Sequence, residues 1–125
     1  MEGERRRQPR FKVIAKVKAD ELCIFPGTLL DVSSTGCKIR FPISVTVDME
    51  KEYQLKIKIC QNKITKELFL IGQPVYSSVE ETSEIGFVFL RSPDSRQLDS
   101  YIQSFQSDAE AAANWNTQAS YVYVG

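Results

Sequence analysis

Apolar and polar residues alternate along much of the chain. Phe11, Val13, Ala15, Val17 and Ala19 interleave with Lys12, Lys16 and Lys18, the period of a half-buried strand, and Ile14 is the one exception. Glu21 to Phe25 extends that strand or pairs with it, and Pro26-Gly27 is a turn signal leading into Thr28–Val32. Ser33-Ser-Thr-Gly36 reverses the chain, after which Cys37, Ile39 and Phe41 alternate with Lys38 and Arg40 as far as Pro42.

The clearest strand sets Tyr53, Leu55, Ile57 and Ile59 against Gln54, Lys56 and Lys58. A turn is expected at Asn62-Lys63. Leu68 to Tyr76 and Ile85 to Leu90 follow as two more strands around a polar connection from Ser77 to Glu84, with Gly72 and Pro74 suggesting a bulge or an edge. Six short strands at this spacing predict an antiparallel barrel or sandwich.

The period changes after Ser92-Pro93-Asp94. Leu98, Tyr101, Ile102 and Phe105 share one helical face, so a C-terminal α-helix should cover the barrel or a partner. Residues 1–10 are polar, carry Pro9 and read as a flexible arginine-rich arm; 11–106 form the domain; 107–125, alanine-rich with Trp115, form a short helix or a frayed tail.

Composition narrows the function classes. The 125 residues suffice for one domain, and 42% apolar with 26% charged residues suits a globular chain. Histidine is absent, which removes Ser-His-Asp and Cys-His catalysis and the usual zinc ligand sets, so an enzyme is not expected and neither a catalytic residue nor a metal is assigned. Cys23, Cys37 and Cys60 are odd in number and widely spaced, as reduced thiols rather than a disulfide framework. There is no apolar run of a membrane span and no secretory h-region, so a cytoplasmic location is expected.

Sixteen basic and sixteen acidic residues cancel, which argues against a surface built for long polyanions, DNA or RNA. Charge is local instead. Arg5, Arg6, Arg7 and Arg10 crowd the arm. A guanidinium fork can pair with the O6 and N7 acceptors of guanine or with two phosphate oxygens, and Asp31 can accept the N1 and N2 hydrogens of guanine's other edge. Ser33 adds a hydroxyl for a phosphate or base, and Gly36 allows a tight turn or a close approach to a ligand. Alone, the arginine run fits a solvated tail and Asp-Val-Ser-Ser-Thr-Gly fits a hairpin turn. Their order, with one strand between them, is what points to a single site.

In these residues the chain resembles the PilZ domain family, which recognises cyclic di-GMP with RxxxR on an N-terminal loop and (D/N)xSxxG on a barrel strand. Arg6 and Arg10 match the first motif; Asp31, Ser33 and Gly36 match the second. Ile85-Gly86-Phe87-Val88-Phe89 is similar to the family's closing strand. The resemblance implies a mainly β fold, a six-stranded antiparallel β-barrel with a C-terminal α-helix, in a bacterial receptor that changes conformation or partner surface on binding cyclic di-GMP. It implies ligand contacts at Arg5, Arg6, Arg10, Asp31, Ser33 and Gly36. Arginine at the position of Arg5 goes, in the family, with an intercalated ligand dimer, so two ligands per chain are expected, with a downstream protein partner. The rival readings are a PilZ-like adaptor that binds no nucleotide and a small barrel for single-stranded nucleic acid.

Overall fold

The computed structural model describes residues 15–61 and 64–104. Six strands form a closed barrel: β1 (Ala15–Ala19), β2 (Cys23–Val32), β3 (Gly36–Phe41), β4 (Tyr53–Gln61), β5 (Ile64–Val79) and β6 (Ser83–Leu90). Their order around the wall is β1-β2-β3-β6-β5-β4, and every neighbouring pair is antiparallel. A helix, α1, covers 95–104.

The alternation seen in the sequence is the inside and outside of this barrel. Val17, Leu29, Ile39, Phe41, Leu55, Ile57, Leu70 and Ile85 fill the interior, each no more than 2% exposed. Cys23 and Cys37 are buried and Cys60 is exposed, none of them in a disulfide. Leu98 and Ile102 of α1 join the same core, as their shared helical face requires; Phe105, the next residue of that face, lies outside the described residues. No helix among the described residues is long and apolar enough to cross a membrane.

β2 corrects the expectation of a turn at Pro26-Gly27. The strand runs unbroken through both residues, and the chain reverses earlier, at 20–22, where the Leu22 amide donates to the Ala19 carbonyl at 2.8 Å. The reason is packing across the sheet. A Cβ on Gly27 would lie 2.6 Å from Ile39 Cγ2 and 2.9 Å from the Phe41 ring, so glycine here admits core side chains and turns nothing. The extra residues appear as a register shift in the β1–β2 ladder between Val17 and Ala19, which leaves Ile24, Phe25 and Pro26 exposed.

β5 is longer than Leu68–Tyr76. It pairs with β4 from Ile64 to Gly72 and with β6 from Ile71 to Val79, and its register shifts between Pro74 and Tyr76, where the sequence suggests a bulge. The connection to β6 is therefore shorter than Ser77 to Glu84. Gln61 pairs with Ile64, while Asn62 and Lys63, the expected turn, lie outside the described residues.

Two polar clusters lock the ends of the barrel. Ser83, fully buried, donates to the Ile43 carbonyl at 2.9 Å and accepts from the Val45 amide at 3.0 Å, pinning the crossover from β3 to β4. Where β6 has ended, β5 would expose two amides. Ser92 Oγ accepts from the Ile71 amide at 2.8 Å and Asp94 Oδ2 from the Phe69 amide at 2.7 Å.

Candidate functional site

β2 ends at Val32, residues 33–35 turn, and β3 begins at Gly36. Ser33 is the centre of this turn. Its hydroxyl oxygen accepts from the Thr35 and Gly36 amides, each at 3.2 Å, and lies 3.2 Å from Thr35 Oγ1. Its own amide donates to the Gly36 carbonyl at 2.8 Å. The residue is 1% exposed, so the side chain read from sequence as a ligand contact faces into the turn it organises.

Gly36 is needed for a close approach, and what approaches is the protein itself. A Cβ there would overlap the carbonyl oxygen of Phe87 on β6. The Phe89 amide donates to the Thr35 carbonyl at 2.8 Å, tying the turn to β6 from the other side. Ser33 and Gly36 thus fix the backbone that follows Asp31.

Asp31 sits just past a register shift between Leu29 and Asp31 and is half-buried on the outer wall. It is opposite Lys38 on β3, Lys38 is opposite Gly86 on β6, and Gly86 is opposite Tyr76 on β5. Residues opposite one another in adjacent strands share a face of the sheet. The four therefore form one row across four strands, spanning roughly 14 Å at the ordinary strand spacing. They line a depression of about 330 Å³ together with Val75 and parts of Cys37 and Phe87.

The row has a chemical logic. Asp31 supplies an acceptor pair at one end, Lys38 an ammonium group beside it, and Tyr76 an aromatic ring, 49% exposed, at the other. Gly86 leaves a gap between lysine and ring; an added Cβ would make ordinary contact with Tyr76 at 3.4 Å, so the gap is space the fold does not fill. The next row toward the β5–β6 hairpin is closed by an ion pair, Arg40 Nη2 to Glu84 Oε2 at 2.6 Å. Lys38, Tyr76 and Gly86 escape a reading of motifs because they come together only through strand register. Exposed tyrosine beside a bulge is the one local signal.

Arg5, Arg6 and Arg10 lie outside the described residues, as do Arg7, Trp115 and the rest of 1–14 and 105–125. The described residues do place the start of β1. β1 is antiparallel to β2, with Lys16 opposite Thr28 and Ala19 opposite Cys23, so Ala15 stands at the end of the barrel where β2 finishes. Arg10 precedes Ala15 by five positions, a reach of at most roughly 17 Å, against a separation of Ala15 from Asp31 on the order of 10 Å.

A model of the PilZ domain matches residues 4–104. Comparison with curated protein sequences gives no match. Among solved structures, the inhibitor of motility MotI (DgrA) of Bacillus subtilis is 12% identical with a TM-score of 0.65, covering 82% of this chain and 52% of its own. YcgR of Escherichia coli, solved in complex with c-di-GMP, is 22% identical with a TM-score of 0.65, covering 88% of this chain and 50% of its own. The PilZ domain of YcgR with c-di-GMP is 20% identical with a TM-score of 0.61, covering 88% of this chain and 98% of its own. The chain thus spans about half the length of MotI and of full YcgR.

Proposed function

The chain belongs to the PilZ domain family, and from that premise we propose that it is a receptor for cyclic di-GMP, binding the ligand on the outer wall between the arginine arm and the row from Asp31 to Tyr76. The observation that carries this reading is the row itself: strand register brings Asp31, Lys38, Gly86 and Tyr76 to one depression beside the turn that Ser33 and Gly36 fix. Asp31 receives the N1 and N2 hydrogens of a guanine, and Arg6 and Arg10 close on its O6 and N7 or on phosphate. Lys38 meets a phosphate, and the Tyr76 ring offers a stacking surface over Gly86. Ser33 and Gly36 act through the backbone, as positioning residues. Arg5 sets the ligand number at two.

Binding costs the entropy of ordering the arm and returns charge-assisted hydrogen bonds, which gives messenger concentration a route to a changed surface. The reading is one of binding without catalysis, with a downstream protein as the recipient of the change.

Titration calorimetry with cyclic di-GMP tests it. Micromolar or tighter binding is expected, with Arg10→Ala or Asp31→Ala each costing about 1–3 kcal/mol. Absence of heat from folded protein would refute the reading, and a stoichiometry of one would remove the assignment of Arg5 alone.

A further inference from the structure

β1 and β4, the two strands outside the Asp31–Tyr76 row, carry four lysines on their outer face. Lys16 is opposite Lys58 and Lys18 is opposite Lys56, a two-by-two array of ammonium groups. Like charges directly opposed destabilise a sheet, and burial is supplied by the inward residues Val17, Leu55 and Ile57. Any polar side chain would serve the fold at these positions. Among the described residues the ion pairs are Arg40–Glu84 and Lys51–Glu21, and neither includes one of the four. Glu67, opposite Lys58, offsets one charge; the other row runs from Lys56 to Phe69, whose ring centroid is 5.2 Å from Lys56 Nζ.

Beside Phe69 opens a cavity of about 530 Å³. Lys18 and Lys56 line it, Phe69, Ile71 and Pro93 contribute its apolar part, and Asp20, Glu21 and Asp94 complete its margin. A cationic array and an apolar recess thus adjoin on one wall.

We propose that this face docks an extended acidic segment of a partner protein, with carboxylates on the lysine array and one apolar side chain in the recess. Alternate residues of an extended chain are roughly 7 Å apart, which is also the spacing of Lys16 to Lys18 and of Lys56 to Lys58 along their strands. Two acidic residues at alternate positions therefore meet the lysines pairwise. The barrel is closed, so β1 and β4 have strand partners on both sides, and side chains rather than backbone must carry the contact. A long polyanion fits less well: the array is only two lysines deep, Asp20 and Glu21 flank it, and the chain has no net charge.

The test is an amide NMR titration of the full chain, without cyclic dinucleotide, against a synthetic six-residue peptide bearing glutamates at alternate positions and a flanking phenylalanine. Shifts confined to β1, β4 and the surroundings of Phe69 are expected, lost when glutamine replaces the glutamates. Lys18→Glu should weaken binding at least tenfold without lowering Tm, since it replaces a repulsive pair with an attractive one. The proposal is overturned if β1 and β4 do not respond, if Lys18→Glu binds the peptide as well as wild type, or if an oligothymidylate or phosphatidylglycerol vesicles produce the same shifts at lower concentration. It stands apart from the cyclic di-GMP reading, whose failure would leave it intact.

Discussion

A methyl group at position 36 has nowhere to go, because the carbonyl oxygen of Phe87 occupies its place. Gly36→Ala must push β3 away from β6, and we expect it to cost about 1–3 kcal/mol in denaturant unfolding. Ser33→Ala leaves the Thr35 and Gly36 amides without their shared acceptor and should cost about 1–3 kcal/mol by the same measurement. Both substitutions weaken ligand binding only as far as they loosen the turn. Tyr76 is the opposite case. Its ring is half exposed and away from the core, so Tyr76→Ala should leave stability within about 0.5 kcal/mol of wild type while calorimetry shows cyclic di-GMP binding weakened by about 1–3 kcal/mol. Parallel measurement of stability and affinity separates residues that shape the site from those that touch the ligand.

Among the elements, α1 is held by two different devices. Leu98 and Ile102 bury its apolar face, and Asp94, just before it, spends its carboxylate on the Phe69 amide of β5. Leu98→Ala should cost about 2–5 kcal/mol through the cavity it leaves, whereas Asp94→Ala should cost about 1–2 kcal/mol and raise hydrogen exchange at the Phe69 amide. Burial pushes the Tyr101 phenol above its ordinary pKa. The folded state therefore keeps that proton longer than the unfolded chain, so stability declines as pH rises past the ordinary phenol value, and Tyr101→Phe should flatten the decline in alkaline melts. Alternation made β1, β3, β4 and β6 legible in the sequence, because each presents one face to the core. β2 was legible only as two pieces, since Pro26-Gly27 is a turn signal locally and a packing solution against Ile39 and Phe41 in three dimensions. The outer half of β5 lacked a pattern because residues 75–77 are exposed in succession. Asp31, Ser33 and Gly36 could be read as a contiguous motif, but the exposure that separates Asp31 from Ser33 could not, and Tyr76 and Lys38 needed the register of four strands.

At the scale of the molecule, the proposed ligand row lies on β2, β3, β6 and β5 and the lysine face on β1 and β4. Closure of that barrel also has a consequence in time. Ala15 finds a partner in Ile59, and Cys37 in Phe87, so the first three strands leave the ribosome well before the strands that complete them. At roughly 5–20 residues per second, translation holds them unclosed for seconds, and pairings so distant in sequence close slowly in any case. Stalled nascent chains ending before Ser83 should stay sensitive to protease, and chains with β6 fully emerged should resist it. The Asp31–Gly36 turn is thus made early and takes shape late, because the carbonyl that Gly36 must accommodate belongs to β6, the last strand of the barrel to be made.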